Sequence, residues 1–140
     1  ELDPPTIDFD GGRLPTPFEL HLAATANPAA GATSYMRVGA QSLGSTADYP
    51  FVMSRRGVLR SLRVYVATPG HDTTLTFTVR KNGSTTGLAL ALVAADGSAD
   101  YTGDPVAFEP GDRINVSIAS AGGLTANATA ISVTVEGVVV

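Results

Sequence analysis

Acidic residues concentrate in one polar stretch of the sequence, and stretches of this kind are candidates for binding hard cations. Asp96, Asp100 and Asp104 all lie within residues 94–104. Carboxylate oxygens are the ligands that calcium prefers. The stretch lacks the ligand spacing and the final glutamate of an EF-hand, and Asp-Gly is also common in turns. We therefore predict a solvated loop over residues 94–104 and no metal site, with calcium binding kept as an open alternative.

The residue types that commonly catalyse reactions form no recognised motif in this sequence. The two histidines, His21 and His71, fall in a predicted strand and a predicted turn, outside any HExxH pattern. The sequence contains no cysteine and no GxSxG nucleophile elbow. Composition alone leaves a Ser/His/Asp triad open. We predict two surface histidines, no cofactor, and a protein that is not an enzyme.

Basic residues concentrate at one place in the sequence, which contains Arg55, Arg56, Arg60 and Arg63. Strand alternation puts Arg60 on the same face as Leu62 and Val64, where an unpaired buried guanidinium would be costly. One interpretation is an ion pair between subunits. The other is a side chain at the end of a strand that extends to water.

Length and charge limit the classes to which the protein can belong. A chain of 140 residues predicts one domain. The net charge of −4 weighs against a nucleic-acid partner, because such proteins usually present a basic face. No apolar run reaches the roughly 18 residues that a membrane-spanning helix needs, so we expect no membrane insertion. The first residues also lack the pattern of a signal peptide.

Hydrophobic alternation from Gly57 to Val93 predicts three consecutive antiparallel strands. Leu75, Phe77 and Val79 alternate with polar residues in the second of these strands. Period-two alternation places such residues on one face of a sheet. Asn82-Gly83 lies between the second and third strands, and this pair favours a type I′ hairpin turn.

The rest of the chain predicts short strands separated by turns. Residues 18–24, 34–38, 106–108, 113–118 and 131–135 are strand-like, and residues 39–57 are irregular. Residues 1–17 contain four prolines and a Gly-Gly pair, which predicts an extended arm. We therefore predict an arm over 1–17 and a single all-β domain over 18–140. Its fold class is an antiparallel β-sandwich of about eight strands, a jelly roll.

Several segments resemble the jelly-roll domains that cap bacterial collagen-like spore-surface proteins and those of phage virion proteins, within the wider tumour-necrosis-factor/complement-head-like fold. The segments are Gly57-Val58-Leu59, Leu62-Arg63-Val64, Phe77 to Gly83, Pro110 to Val116 and Ile131 to Glu136. They cover a little over half of the chain. No Gly-x-y collagen stalk precedes the domain, and residues 1–56 fall outside the resemblance.

The resemblance implies a non-enzymatic homotrimer displayed on a virion or extracellular surface, in a phage capsid or tail. The arm suggests a decoration protein that contacts its own copies and neighbouring virion or surface-lattice proteins. The candidate interface residues are Ile7, Phe9, Arg55, Arg56, Arg60, Val138 and Val139.

An alternative function for the same sandwich is a carbohydrate- or receptor-binding module. Such sites often present exposed aromatic side chains, and Tyr49, Phe51 and Tyr101 lie in or near predicted loops. The absence of tryptophan weakens the case for a sugar-stacking platform.

Overall fold

The computed structural model describes residues 15–36, 43–44 and 50–140, and these ranges form two antiparallel sheets packed as a sandwich. The strands in these ranges are β1 (Thr16–Ala26), β2 (Thr33–Tyr35), β3 (Phe51–Val52), β4 (Gly57–Thr68), β5 (Leu75–Lys81), β6 (Ser84–Leu92), β7 (Ser98–Phe108), β8 (Arg113–Ser120) and β9 (Thr129–Val139). No helix in the described part of the chain is long and apolar enough to cross a membrane.

The strand order confirms the predicted jelly roll. Sheet A has the order β1-β9-β4-β7, and sheet B has the order β2-β8-β5-β6. The seven long strands of the described ranges divide four to sheet A and three to sheet B, and the short strands β2 and β3 make sheet B five-stranded, as a two-sheet jelly-roll sandwich allows. The two-residue strand β3 pairs with Ile114 and Arg113 of β8 and accounts for the difference from the predicted eight strands. It lies in the stretch that we expected to be irregular.

The core lies between the sheets and consists of the apolar residues that alternate along each strand. Leu62, Val64 and Val66 of β4 are buried, and the polar or exposed residues between them face solvent. Phe77 and Phe108 are among the largest fully buried side chains. Burying one such side chain contributes about 1.5–3 kcal/mol, so the alternating residues are the main source of attraction between the sheets.

The hairpin between β5 and β6 is confirmed, but the predicted three-strand meander is wrong in its first half. Asn82 and Gly83 have φ values of 53° and 84°, as a type I′ turn requires. By contrast β4 pairs with β9 and β7 in sheet A, while β5 pairs with β6 and β8 in sheet B. The connection after Thr68 crosses between sheets. Hydrophobic alternation predicts which face of a strand is buried. It does not predict which other strand pairs with it.

The predicted loop over residues 94–104 is also wrong, because β7 begins at Ser98 and continues to Phe108. Asp100 and Asp104 therefore lie within a strand. β7 is an edge strand of sheet A, and its residues from Thr102 to Pro105 are all exposed. Polar residues on an exposed edge reduce unwanted pairing with other chains, and this makes the stretch look like a loop in the sequence.

A β-bulge in β4 overturns the predicted inward position of Arg60. The pairing of β4 with β9 places Leu59 opposite Gly137 and Ser61 opposite Glu136, so Arg60 is one extra residue. The extra residue shifts the alternation by one position. Leu59 and Leu62 are consequently both buried, and Arg60 is exposed.

The two histidines differ in their surroundings. The side chain of His21 is 67% exposed, as expected for the outer face of β1. His71 is fully buried, so its predicted surface position is wrong. Its Nε2 donates a hydrogen bond to the carbonyl of Val93 at 2.8 Å, while the amide of Ala95 donates to the carbonyl of His71. The turn before β5 thus packs beneath the connection between β6 and β7.

The ends of the domain differ slightly from the predicted bounds. β1 begins at Thr16, so Thr16 and Pro17 of the predicted arm belong to a strand. The apolar residues at the end of the chain extend β9 to Val139. Residues 1–14 lie outside the described ranges, and the predicted arm stays a prediction.

Candidate functional site

Five of the seven candidate interface residues meet at one end of sheet A. They are Arg55, Arg56, Arg60, Val138 and Val139. Gly57, which follows the arginine pair, lies opposite Val139, and Val139 also lies opposite Thr16. Arg55 donates from Nε to the carbonyl of Val140 at 3.3 Å, and the amide of Val140 donates to the carbonyl of Arg56. Ile7 and Phe9 lie outside the described residues.

A groove of about 570 Å³ lies at this end of the sheet and is called the β1 groove here. Its lining residues are Pro17, Phe18, Glu19, Arg60, Ser61, Thr102, Glu136, Gly137 and Val138. Phe18 is half-buried and packs edge-on against Phe108, with ring centroids 5.9 Å apart. The lining is therefore apolar near the start of β1 and polar near the bulge of β4.

The outer face of sheet A carries polar side chains in rows that run across the strands. The first row contains Glu19, Glu136, Ser61 and Thr102. The second row contains His21, Thr134, Arg63 and Asp100. The third row contains Ala23, Ser132, Tyr65 and Ser98. Residues opposite one another on neighbouring strands have side chains within contact distance, so each row is a set of interacting groups.

Hydrogen bonds and ion pairs link the first two rows. His21 lies 3.2 Å from both Oε1 of Glu19 and Oγ1 of Thr134. Arg63 lies 3.4 Å from Asp100. These contacts are exposed, and pairs of this kind contribute little to stability. The pair of Arg63 with Asp100 places opposite charges side by side on this face.

The carboxyl of Glu136 has a lowered pKa. The largest cause is the hydrogen bond from the Ser61 hydroxyl, 2.7 Å from Oε1. A hydrogen bond with Glu19 and the charge of Arg63 lower the pKa further. Hydrogen bonds to the charged form favour ionisation, so Glu136 is a carboxylate near neutral pH.

The acidic residues considered for calcium binding are not brought together as a ligand set. Asp100 pairs with Arg63 on the outer face of sheet A, and Asp104 lies beside Gly87 of β6. Within residues 15–36, 43–44 and 50–140, no three histidine, aspartate or glutamate side chains form a group that could hold a metal ion.

The three aromatic residues predicted for ligand binding do not form an exposed cluster in the described ranges. Phe51 and Tyr101 are half-buried and pack against the core, and Tyr49 lies outside those ranges. Among the tyrosines in the described ranges, Tyr65 is the most accessible, with 58% of its surface exposed. Its alternation with the buried residues Val64 and Val66 is a signal in the sequence that predicts this outward position.

Comparisons with known proteins assign no function to this site. No protein-family model matches the chain, and no curated protein matches it. Among solved structures, a CBM36-1 domain of a multidomain xylanase from the hindgut metagenome of Trinervitermes trinervoides is 13% identical, with a TM-score of 0.46. The similarity covers 84% of this chain and 96% of that domain.

Two further solved structures show the range of the similarity. A family 35 carbohydrate-binding module from Clostridium thermocellum is 12% identical, with a TM-score of 0.41, over 86% of this chain and 98% of that chain. The structure of infectious bursal disease virus Gx strain is 14% identical, with a TM-score of 0.36, over 87% of this chain and 32% of that chain. At these values the similarities carry no argument about function.

Proposed function

We propose that this chain is a non-enzymatic structural protein of a particle surface, a homotrimer that decorates a phage capsid or tail. The observation that carries the proposal is the meeting of Arg60, the end of β9 and the start of β1 around the β1 groove, with Arg55 and Arg56 hydrogen-bonded to Val140 at the same end of β9. This arrangement offers a surface for contacts between copies. The proposed number of copies, three, rests on the resemblance of the sequence to jelly-roll domains that form trimers.

The segment ahead of β1 has the chemistry that the β1 groove would accept. It places Ile7 and Phe9 next to Asp8 and Asp10. The groove combines the apolar side chains of its β1 end with the exposed guanidinium of Arg60. Apolar burial would supply the affinity. An ion pair between Arg60 and one aspartate would fix the register, since Glu19 and Glu136 in the same groove repel a carboxylate placed elsewhere.

The start of β1 lies beside the β1 groove, because Thr16 pairs with Val139 at the end of both strands and Pro17 and Val138 line the groove. A segment that passes from one copy to the groove of the next makes a head-to-tail contact. Such contacts close into a ring when the rotation between copies allows it.

Reversing the charge of Arg60 tests this contact. We expect Arg60→Glu to dissociate the trimer at concentrations where the unchanged protein remains assembled, as measured by light scattering after size-exclusion chromatography. Because Arg60 is exposed, the substitution should leave the fold intact. Arg113→Glu, which reverses an exposed arginine of sheet B, is the matched control and should remain trimeric. Equal masses for the two variants would count against the β1 groove as the contact.

A carbohydrate- or receptor-binding module is the second candidate function. The observation that favours it is Tyr65, whose ring is exposed between two polar residues, Ser132 and Ser98, on the outer face of sheet A.

A further inference from the structure

A second depression lies on the outer face of sheet A, toward the end opposite to the β1 groove, and is called the Tyr65 trough here. It has a volume of about 460 Å³. Its lining residues include Ala23, Thr25, Tyr65, Ala67, Ala130 and Ser132. The lining residues on three neighbouring strands are mostly small, and Tyr65 supplies the aromatic ring of the trough. The volume falls within the roughly 300–1,000 Å³ that small-molecule sites occupy.

Polar groups border the trough on two sides. The row next to Tyr65 supplies His21, Thr134 and the ion pair of Arg63 with Asp100. Ser98 lies opposite Tyr65 on β7. A separate, smaller depression of about 260 Å³ is lined by Arg63, Ser98, Ala99 and Asp100, on the β7 side of Tyr65. The site thus offers one aromatic face together with hydrogen-bond donors and acceptors.

The charges at this border select the class of ligand. The guanidinium of Arg63 is beside a carboxylate, so the border has no unbalanced charge of one sign. A nucleic acid or another polyanion would need a basic surface, which these paired groups do not provide. A lipid or an apolar peptide would need a larger apolar area than one tyrosine ring. A neutral ligand with a flat apolar face and many hydroxyl groups needs neither a basic surface nor a large apolar area.

We propose that the Tyr65 trough binds a neutral oligosaccharide, with a sugar ring stacked on Tyr65 and its hydroxyl groups bonded to the bordering polar residues. The C–H face of a sugar ring is apolar, and a tyrosine offers an apolar face beside a polar tip. The hydroxyl groups of Ser98, Ser132 and Thr134 both donate and accept hydrogen bonds. The inference deepens the second candidate function and does not rest on the trimer, because every residue of the trough belongs to one copy.

Affinity electrophoresis of the full chain in native gels that contain dextran, mannan or xylan tests the proposal. We expect retardation by at least one of these neutral polysaccharides. Tyr65→Ala should weaken that binding by about tenfold or more, because a central aromatic side chain commonly dominates a binding site. Tyr65→Phe should retain most of it, since the ring remains. Val93→Ala removes part of another exposed apolar side chain and is the control that should bind normally.

Two results would overturn the oligosaccharide site. One is free migration of the unchanged protein in all three gels. The other is equal retardation of the unchanged protein and of the Tyr65→Ala variant. Thermal melting of each variant checks that folding is retained, which is expected because Tyr65 is exposed. A monomeric protein that still binds would contradict the trimer and leave the oligosaccharide site supported.

Discussion

Individual polar residues join distant parts of this chain, and several of them do so from turns. Asp72 accepts hydrogen bonds from the amides of Thr125 and Ala126, at 2.9 and 3.1 Å, and from the hydroxyl of Thr125. Asn27 accepts a hydrogen bond from the amide of Ala128 and donates to the carbonyl of Pro28. These contacts hold the loop between β8 and β9 against the rest of the domain.

The Asp72 contacts predict a pH dependence of stability. The hydrogen bonds from Thr125 are the largest cause of a pKa that falls from the ordinary 3.8 to about 2. A carboxyl whose pKa is lower in the folded state stabilises the fold above its unfolded pKa. That contribution is lost as the pH falls through the folded pKa. The stabilisation by Asp72 is therefore complete near neutral pH and declines between about pH 4 and pH 2.

We expect Asp72→Asn to melt at a lower temperature than the unchanged protein at pH 7. The difference should shrink as the pH is lowered from 4 toward 2, because protonation then removes the same charge from the unchanged protein. Melting curves by circular dichroism across this range give the measurement. Asp96→Asn is the control, because Asp96 is exposed in the connection between β6 and β7. A constant difference at every pH would contradict the role given to the Asp72 charge.

At the scale of the elements, the hairpin turn between β5 and β6 also contacts the turn that precedes β8. Asn82 donates from Nδ2 to Asp112 at 2.9 Å and accepts from the amide of Arg113. The hydrogen bond from Asn82 is the largest cause of a lowered pKa for Asp112. The type I′ turn is thus both the link between two strands and a contact with the turn before β8.

Gly83→Ala tests how much this turn geometry contributes. The φ of 84° at Gly83 lies in the left-handed region, where a side chain costs about 1–2 kcal/mol. We expect a loss of about that size in the free energy of unfolding, measured with urea. Gly122→Ala is the matched control, because no atom lies within 4 Å of its added Cβ and its φ is not in that region. Equal stability of the two variants would contradict the turn assignment.

The sequence predicts the elements better than it predicts their arrangement. Alternation locates most of the strands and of the buried residues, and Asn82-Gly83 locates the hairpin, because these depend on residues near one another in the chain. The bulge at Arg60, the pairing of β4 with β9 and the burial of His71 depend on distant residues. The candidate interface shows the same limit. The residue types that favour contact are visible in the sequence, but their meeting around the β1 groove follows only from the pairing of β1, β9 and β4.

At the scale of the whole molecule, sheet A carries both proposed functional surfaces. The β1 groove lies where β1 begins and β9 ends, and the Tyr65 trough lies toward the opposite ends of the same strands. A trimer contact confined to the groove would leave the trough exposed. The domain would then combine assembly at one end of the sheet with oligosaccharide binding at the other.

The mass of the full chain in solution tests the central claim most directly. Light scattering coupled to size-exclusion chromatography, at protein concentrations from about one to one hundred micromolar, measures it without reference to shape. We predict a particle with three times the mass of one chain throughout most of this range. A single species with the mass of one chain at every concentration would contradict the proposal of a trimeric surface protein.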